Sequence, residues 1–148
     1  MSQTQQDPYR KLLAERSGGR GVLVTLKRDG RPQLSNVGYS YDPATDILRV
    51  ATTADRAKAR NARRDPRVCF HVTTEDMFAY GVFEGTASVS EVAADPYDEV
   101  VDELVEMYRA TQGEHPDWDE FRRTKVKDQR LVLRMSVERS YGFIFQKG

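Results

Sequence analysis

The sequence predicts a mainly β protein with peripheral helices, an antiparallel barrel of six or seven strands. Three observations carry this. Runs rich in Val, Leu, Ile and Tyr recur along the chain, and tight turns rather than helices link them, which makes neighbouring strands antiparallel. Gly81 and Gly85 stand inside one of the longer runs, where glycine marks a bulge, a bend or a close backbone approach. The chain has 148 residues, 39% apolar and 31% charged, which suits one domain with a real core and a wet surface. Hairpin-linked strands that bend at glycines close, fully or in part, into a barrel.

Each element has its own signal. Residues 7–17 read as a short helix, with Asp7 as cap, Pro8 at the first helical position, Leu12 and Leu13 as buried face and Gly18-Gly19 as stop. Residues 20–27 form a strand, Asp29-Gly30 turns it, and residues 33–41 return. Alternation in that return puts Leu34, Asn36, Gly38 and Ser40 on one side and Gln33, Ser35, Val37, Tyr39 and Tyr41 on the other. After a second turn at 42–46, residues 47–53 make a third strand. Residues 55–64 read as a helix with Asp55 as N-cap, ended by Asp65-Pro66. Residues 67–74 and 79–91 are strands. Residues 95–112 are the clearest helix, with Pro96 at its start, Gly113 at its end and an apolar face of Tyr97, Val100, Val101, Leu104, Val105 and Tyr108. A short helix carrying Trp118 and Phe121 follows Asp117, and residues 130–146 read as two strands or one bent one. No linker divides the chain, so residues 1–148 are expected to form a single domain.

Composition bounds the partners. Twenty-three Lys and Arg balance 23 Asp and Glu. A net charge of zero excludes a wholesale polyanion binder, and no nucleic-acid module fits the spacing of residues. One cysteine, Cys69, precludes an internal disulfide, and its alternation with Val68 and Phe70 makes it a small buried hydrophobe. The polar start lacks a signal-peptide pattern, and no apolar run approaches the roughly 20 residues of a membrane span. A cytoplasmic protein with no membrane partner is expected. His71 and His115 have no partner spacing for a metal, so no metal is expected. No nucleophile motif, phosphate loop or dinucleotide fingerprint occurs.

The chemistry-bearing stretch is Arg56 to Arg67. It holds six basic residues against one acid, Asp65. Arg56 and Lys58 fall in the first turn of the expected helix, Arg60 just beyond, and Thr52 and Thr53 stand upstream as hydroxyl donors. A helix N-terminus with such side chains can clamp a phosphate or a string of carboxylates. A solvated, Arg-rich helix face gives the same composition, and composition alone leaves both readings open. Asn36, on the Leu34 side of its strand, is read as a buried amide that satisfies itself on backbone or faces a heterocyclic ring.

Three stretches in register resemble one family. Residues 21–26 with the Asp-Gly hairpin and Arg31-Pro-Gln-Leu-Ser-Asn-Val resemble the first hairpin of the pyridoxamine 5′-phosphate oxidase-like superfamily. Thr52, a five-residue gap, Lys58, two residues, Asn61, four residues and Pro66 are similar to its phosphate-binding signature. Glu84-Gly85-Thr86-Ala87 resembles its Gly-x-Ala strand. Arg-Pro-Gln-Leu-Ser-Asn together with Arg-Ala-Lys-x-Arg-Asn looks most like the actinobacterial branch that uses the deazaflavin coenzyme F420.

The resemblance implies a split β-barrel and a homodimer with two cofactor sites at the interface. It implies coenzyme F420, which carries a phosphodiester and an oligoglutamate tail, in place of FMN. It implies an F420H2-dependent oxidoreductase that transfers hydride to an unsaturated or quinone-like small molecule. Arg56 and Lys58, assisted by Arg60, would hold phosphate and tail. Thr52 and Thr53 would flank the ring or its linker. Asn36 and Ser35 would lie near the deazaflavin head. Phe78 would stand near the substrate pocket, from the second subunit, and Ser35 or Tyr39, or solvent, would supply a proton. No catalytic residue stands out. Alternatives are an FMN-binding oxidoreductase on the same barrel and a non-catalytic cofactor-binding protein.

Overall fold

A computed structural model describes residues 7–145. Among the described residues, four helices and seven strands follow one another in this order: α1 (Pro8–Glu15), β1 (Arg20–Leu26), β2 (Pro32–Gly38), β3 (Ser40–Asp42), β4 (Ile47–Thr53), α2 (Ala57–Arg64), β5 (Arg67–Thr73), β6 (Tyr80–Val89), α3 (Glu99–Gln112), α4 (Trp118–Lys127) and β7 (Arg130–Phe143). The strands form one sheet in the order β2-β1-β5-β6-β7-β4-β3, antiparallel at every paired edge. The two edge strands, β2 and β3, are consecutive and separated by Tyr39 alone. The chain therefore carries one edge of the sheet into the other, and the sheet curls into the expected split barrel.

Inside the barrel, Leu23, Phe70, Phe83, Leu48, Leu133 and Met135 are fully buried. Burying each such side chain contributes about 1.5–3 kcal/mol. α1 adds Leu12 and Leu13 to this core, and Tyr39 packs edge-on to Phe70 at 4.9 Å between ring centroids. β7 is apolar on both faces. Leu133 and Met135 face the barrel, while Val132 faces a second core built from α3 (Val101, Leu104, Val105) and Phe121 of α4.

Several expected boundaries move. The return strand 33–41 is two strands, because the backbone turns at Tyr39 to cross the barrel seam. Asp55 does not cap α2; its carboxylate accepts from the Thr53 hydroxyl at 2.6 Å, and the N-cap is Arg56 with no side-chain cap bond. The helix expected from residue 95 starts at Glu99, because Asp98 is the residue whose carboxylate accepts from Val101 N. Tyr97 therefore lies outside the helix, 65% exposed. The final stretch is one strand to Phe143; Gln146, the end of the expected stretch, lies outside the described residues. Among the described residues, no helix is long and apolar enough to cross a membrane.

One ion cluster fastens α3 to the barrel. Arg49 of β4 and Arg134 of β7 each donate through Nε to Oε2 of Glu103 at 2.7 Å, and a second Arg134 nitrogen bonds Oε1. Burial pushes the Glu103 carboxyl up, but the two guanidiniums outweigh it and hold it below the usual range. A carboxylate depressed in this way adds stability above its unfolded pKa, and the contribution disappears as pH falls through the folded value. Glu103→Gln is expected to lower stability by about 2 kcal/mol at neutral pH, with the gap closing below pH ~4. Thermal melts at the two pH values check this; an equal deficit at both would remove the ionised pair as its cause.

Candidate cofactor site

The site grows from the corner where β4 meets α2. Thr53, the last residue of β4, pairs with Arg130, the first of β7. Ala54 N donates to Gln129 O at 3.3 Å and Arg56 N to Thr53 O at 3.1 Å, so the chain turns sharply into α2. The corner thus brings Arg56 and Lys58 against Arg130, which comes from the far end of the sequence.

These cations repel one another. Burial lowers the Lys58 pKa first, and the charges of Arg56 and Arg130 lower it further. Lys125 of α4 is shifted the same way, by burial and then by Arg130. The Arg130 Nε is buried and has no hydrogen-bond partner. Among the described residues, Arg56, Lys58, Lys125 and Arg130 take part in no ion pair. A buried donor without a partner costs about 1–3 kcal/mol, and clustered like charges add to that cost. An anion at this corner supplies both the missing acceptor and the missing charge.

The rest of the basic run is fastened elsewhere. Arg63 donates to Ser90 O at 2.7 Å, Arg64 to Leu26 O at 2.8 Å, and Arg67 pairs with Asp65 at 2.7 Å. Asn61 is buried and donates to Thr25 Oγ1 at 3.2 Å and Gln33 Oε1 at 2.9 Å, pinning α2 to the first hairpin. Arg60 lies about 200° around the helix from Lys58. It lines a separate groove of about 800 Å³ with Lys27, Arg28 and Gln33. The expected trio of Arg56, Lys58 and Arg60 is thus divided between two sides of one helix.

Other expected site residues scatter for equally plain reasons. Thr52 is buried in the barrel opposite Leu131, whereas Thr53 reaches the corner with its hydroxyl on Asp55. Asn36 is exposed rather than buried, beside Leu34 at 63% exposure, and Ser35 points to the opposite face of β2. The chain therefore does not turn both toward a single ring. Tyr39 is buried, donates its hydroxyl to Leu13 O at 2.7 Å, and has its pKa raised by burial. Its hydroxyl is therefore committed to backbone rather than free for the expected proton transfer. Phe78 is 72% exposed on the β5–β6 loop, beside Phe145 and an apolar cavity of about 490 Å³. It adjoins the Tyr80↔Phe143 end of β7, whereas Arg130 opens that strand. Roughly 40 Å of strand contour separates the two ends. Sequence reading missed Arg130 and Lys125; the one available signal was the cluster of cations where α4 hands over to β7.

The fold is a split β-barrel, and its β4–α2 corner is a cationic site where Asp55 acts on Lys58 through its charge but, among the described residues, bridges none of the cations. Residues 9–143 match the pyridoxamine 5′-phosphate oxidase family, and the chain belongs to that family of oxidoreductase-type barrels. An F420H(2)-dependent biliverdin reductase from Mycobacterium tuberculosis is 46% identical over 43 residues, a stretch covering 29% of this chain and 31% of that protein. Two solved structures share the fold at 24% identity. One, an F420 reductase, superposes with a TM-score of 0.64 over 91% of this chain and 97% of its own. The other, a conserved hypothetical protein from Mycobacterium tuberculosis, does so with 0.69 over 97% and 84%.

Proposed function

We propose that this protein is an F420H2-dependent reductase of the split-barrel type, acting on an unsaturated or quinone-like small molecule. The observation that carries the reading is the corner's unbridged cations, with the orphaned Arg130 Nε among them. Arg56, Lys58 and Arg130 would hold the phosphodiester, and Thr53 would flank the linker. The groove beside Arg60, with Lys27 and Arg28, extends positive charge to the other side of α2, which suits a long polyanionic cofactor better than a single phosphate. The short match to an F420H(2)-dependent enzyme supports the same choice. When bound, reduced F420 supplies a hydride from its C5. The chain's part is to bind, orient and exclude water. With Tyr39 committed to Leu13, solvent or the Ser35 hydroxyl supplies the proton.

The site also calls for a second copy of the chain. Among the described residues, no helix covers the outer face of β2, β1, β5, β6 and β7. Its rows run Asn36-Val22-His71-Val82-Tyr141 and Leu34-Val24-Cys69-Glu84-Arg139. A broad sheet face of this kind marks an interaction surface. Pairing two such faces accounts for the exposure of Asn36 and gives Phe78 a route to the partner's corner. Val24→Glu, at the centre of the face, is expected to convert a dimer into a monomer in sedimentation at micromolar concentration. A monomeric wild-type protein would refute the pairing.

Turnover tests the activity itself. Enzyme, F420H2 and a panel of quinones and conjugated enones are mixed without oxygen, and cofactor reoxidation is followed. Reoxidation that depends on both enzyme and acceptor is expected. Rates no greater than without enzyme across the panel, with the cofactor bound, would leave a carrier rather than a reductase.

A further inference from the structure

A second cavity lies away from the outer sheet face, between the barrel seam and the helices α3 and α4. Its volume is about 230 Å³. Tyr39 and Ala51 line its barrel side; Leu104, Tyr108 and Phe121 line its helix side. Tyr108 and Phe121 meet edge-on at 5.3 Å between centroids, so the wall is aromatic and fixed in orientation. One charged side chain enters it. Lys125 follows Phe121 by one helical turn, and its Nζ sits 4.5 Å over the Phe121 ring.

This cation is half-buried, and among the described residues no carboxylate stands within ion-pair distance of it. Asp128, the acid whose charge acts on it, forms no bridge with it. The ring beneath holds the ammonium, but desolvation is left largely uncompensated. We infer that this cavity is a binding site for a small aromatic or conjugated carboxylate, its ring against Tyr108 and Phe121 and its carboxylate on Lys125. The volume falls below the roughly 300–1,000 Å³ of pockets for drug-sized ligands, so the ligand has one or two rings at most. The inference does not depend on which cofactor occupies the β4–α2 corner.

The single tryptophan reports on the cavity. Trp118 lies 5.7 Å from Tyr108 and 5.4 Å from Phe121, both lining residues. Cofactor-free protein is titrated with trans-cinnamate and, separately, with cinnamamide, by calorimetry and by Trp118 emission. Saturable cinnamate binding is expected, at least tenfold tighter than binding of the neutral amide. Lys125→Met is expected to abolish that preference and Lys125→Arg to keep it, with thermal melts confirming that both variants fold. No saturable binding to the wild type, or equal binding of acid and amide, would overturn the inference, and neither result bears on F420.

Discussion

Lys58→Met is expected to weaken F420 binding by about two orders of magnitude while leaving the cofactor-free protein at least as stable as the wild type. The first half follows from the corner's chemistry. Truncating one partner of a desolvated ion pair costs 2–5 kcal/mol or more, and about 3 kcal/mol is a factor of a hundred in affinity. The second half follows from the sign of the pKa shift. Burial, Arg56 and Arg130 hold the Lys58 ammonium below its usual 10.5. Between the depressed value and 10.5 the folded chain binds fewer protons than the unfolded one, so stability rises with pH through that window. At neutral pH the charge is a net cost to the fold, and methionine removes it while keeping the stem's packing. Titration together with thermal unfolding separates the two effects. Arg64→Met is the contrast, since Arg64 bonds Leu26 O and Asn61 Oδ1 and its loss should lower stability. A destabilised Lys58→Met protein with unchanged cofactor affinity would make Lys58 structural.

Gly85→Ala is the substitution expected to damage the fold most. β6 and β7 slip register between Glu84 and Gly85: Glu84 faces Arg139, and Gly85 faces Val137. At this bulge the backbones come so close that a Cβ on Gly85 would sit 2.0 Å from Ser136 O, with Met135 Cε at 3.1 Å. The first obstacle is backbone in the longest strand pairing of the sheet, so no rotamer change relieves it. A loss of about 3 kcal/mol or more is expected, read as a fall in the urea midpoint. Gly30→Ala, where nothing lies within 4 Å, should lose far less and only through its φ of 86°. Equal losses at the two positions would refute the account of the bulge.

Local chemistry made much of the fold legible. The Asp-Gly turn set the first hairpin, and the run 47–53 became a strand with those bounds, because alternation and turn residues act within a few positions. Tyr39 was not legible as a strand break, since the turn there serves a seam between two edges that only the closed barrel brings together. Pro96 misled because Asp98, two residues on, carries the cap that α3 uses. The site was legible in part. Arg56 and Lys58 lie on one short segment and could be read from spacing. Arg130 could not, because it reaches the corner through the pairing of β7 with β4, and neither could Lys125, which the packing of α4 brings within reach of the Arg130 charge. Asn36 shows a different limit: its strand face was read correctly, but alternation does not say whether a face is covered, and Asn36 is exposed.

The β4–α2 corner is proposed to hold the anionic part of F420. The most direct test is titration of purified wild-type protein with F420 and, separately, with FMN, following fluorescence. Tight F420 binding with FMN at least tenfold weaker is the predicted result. FMN bound more tightly than F420, or neither bound, would contradict it.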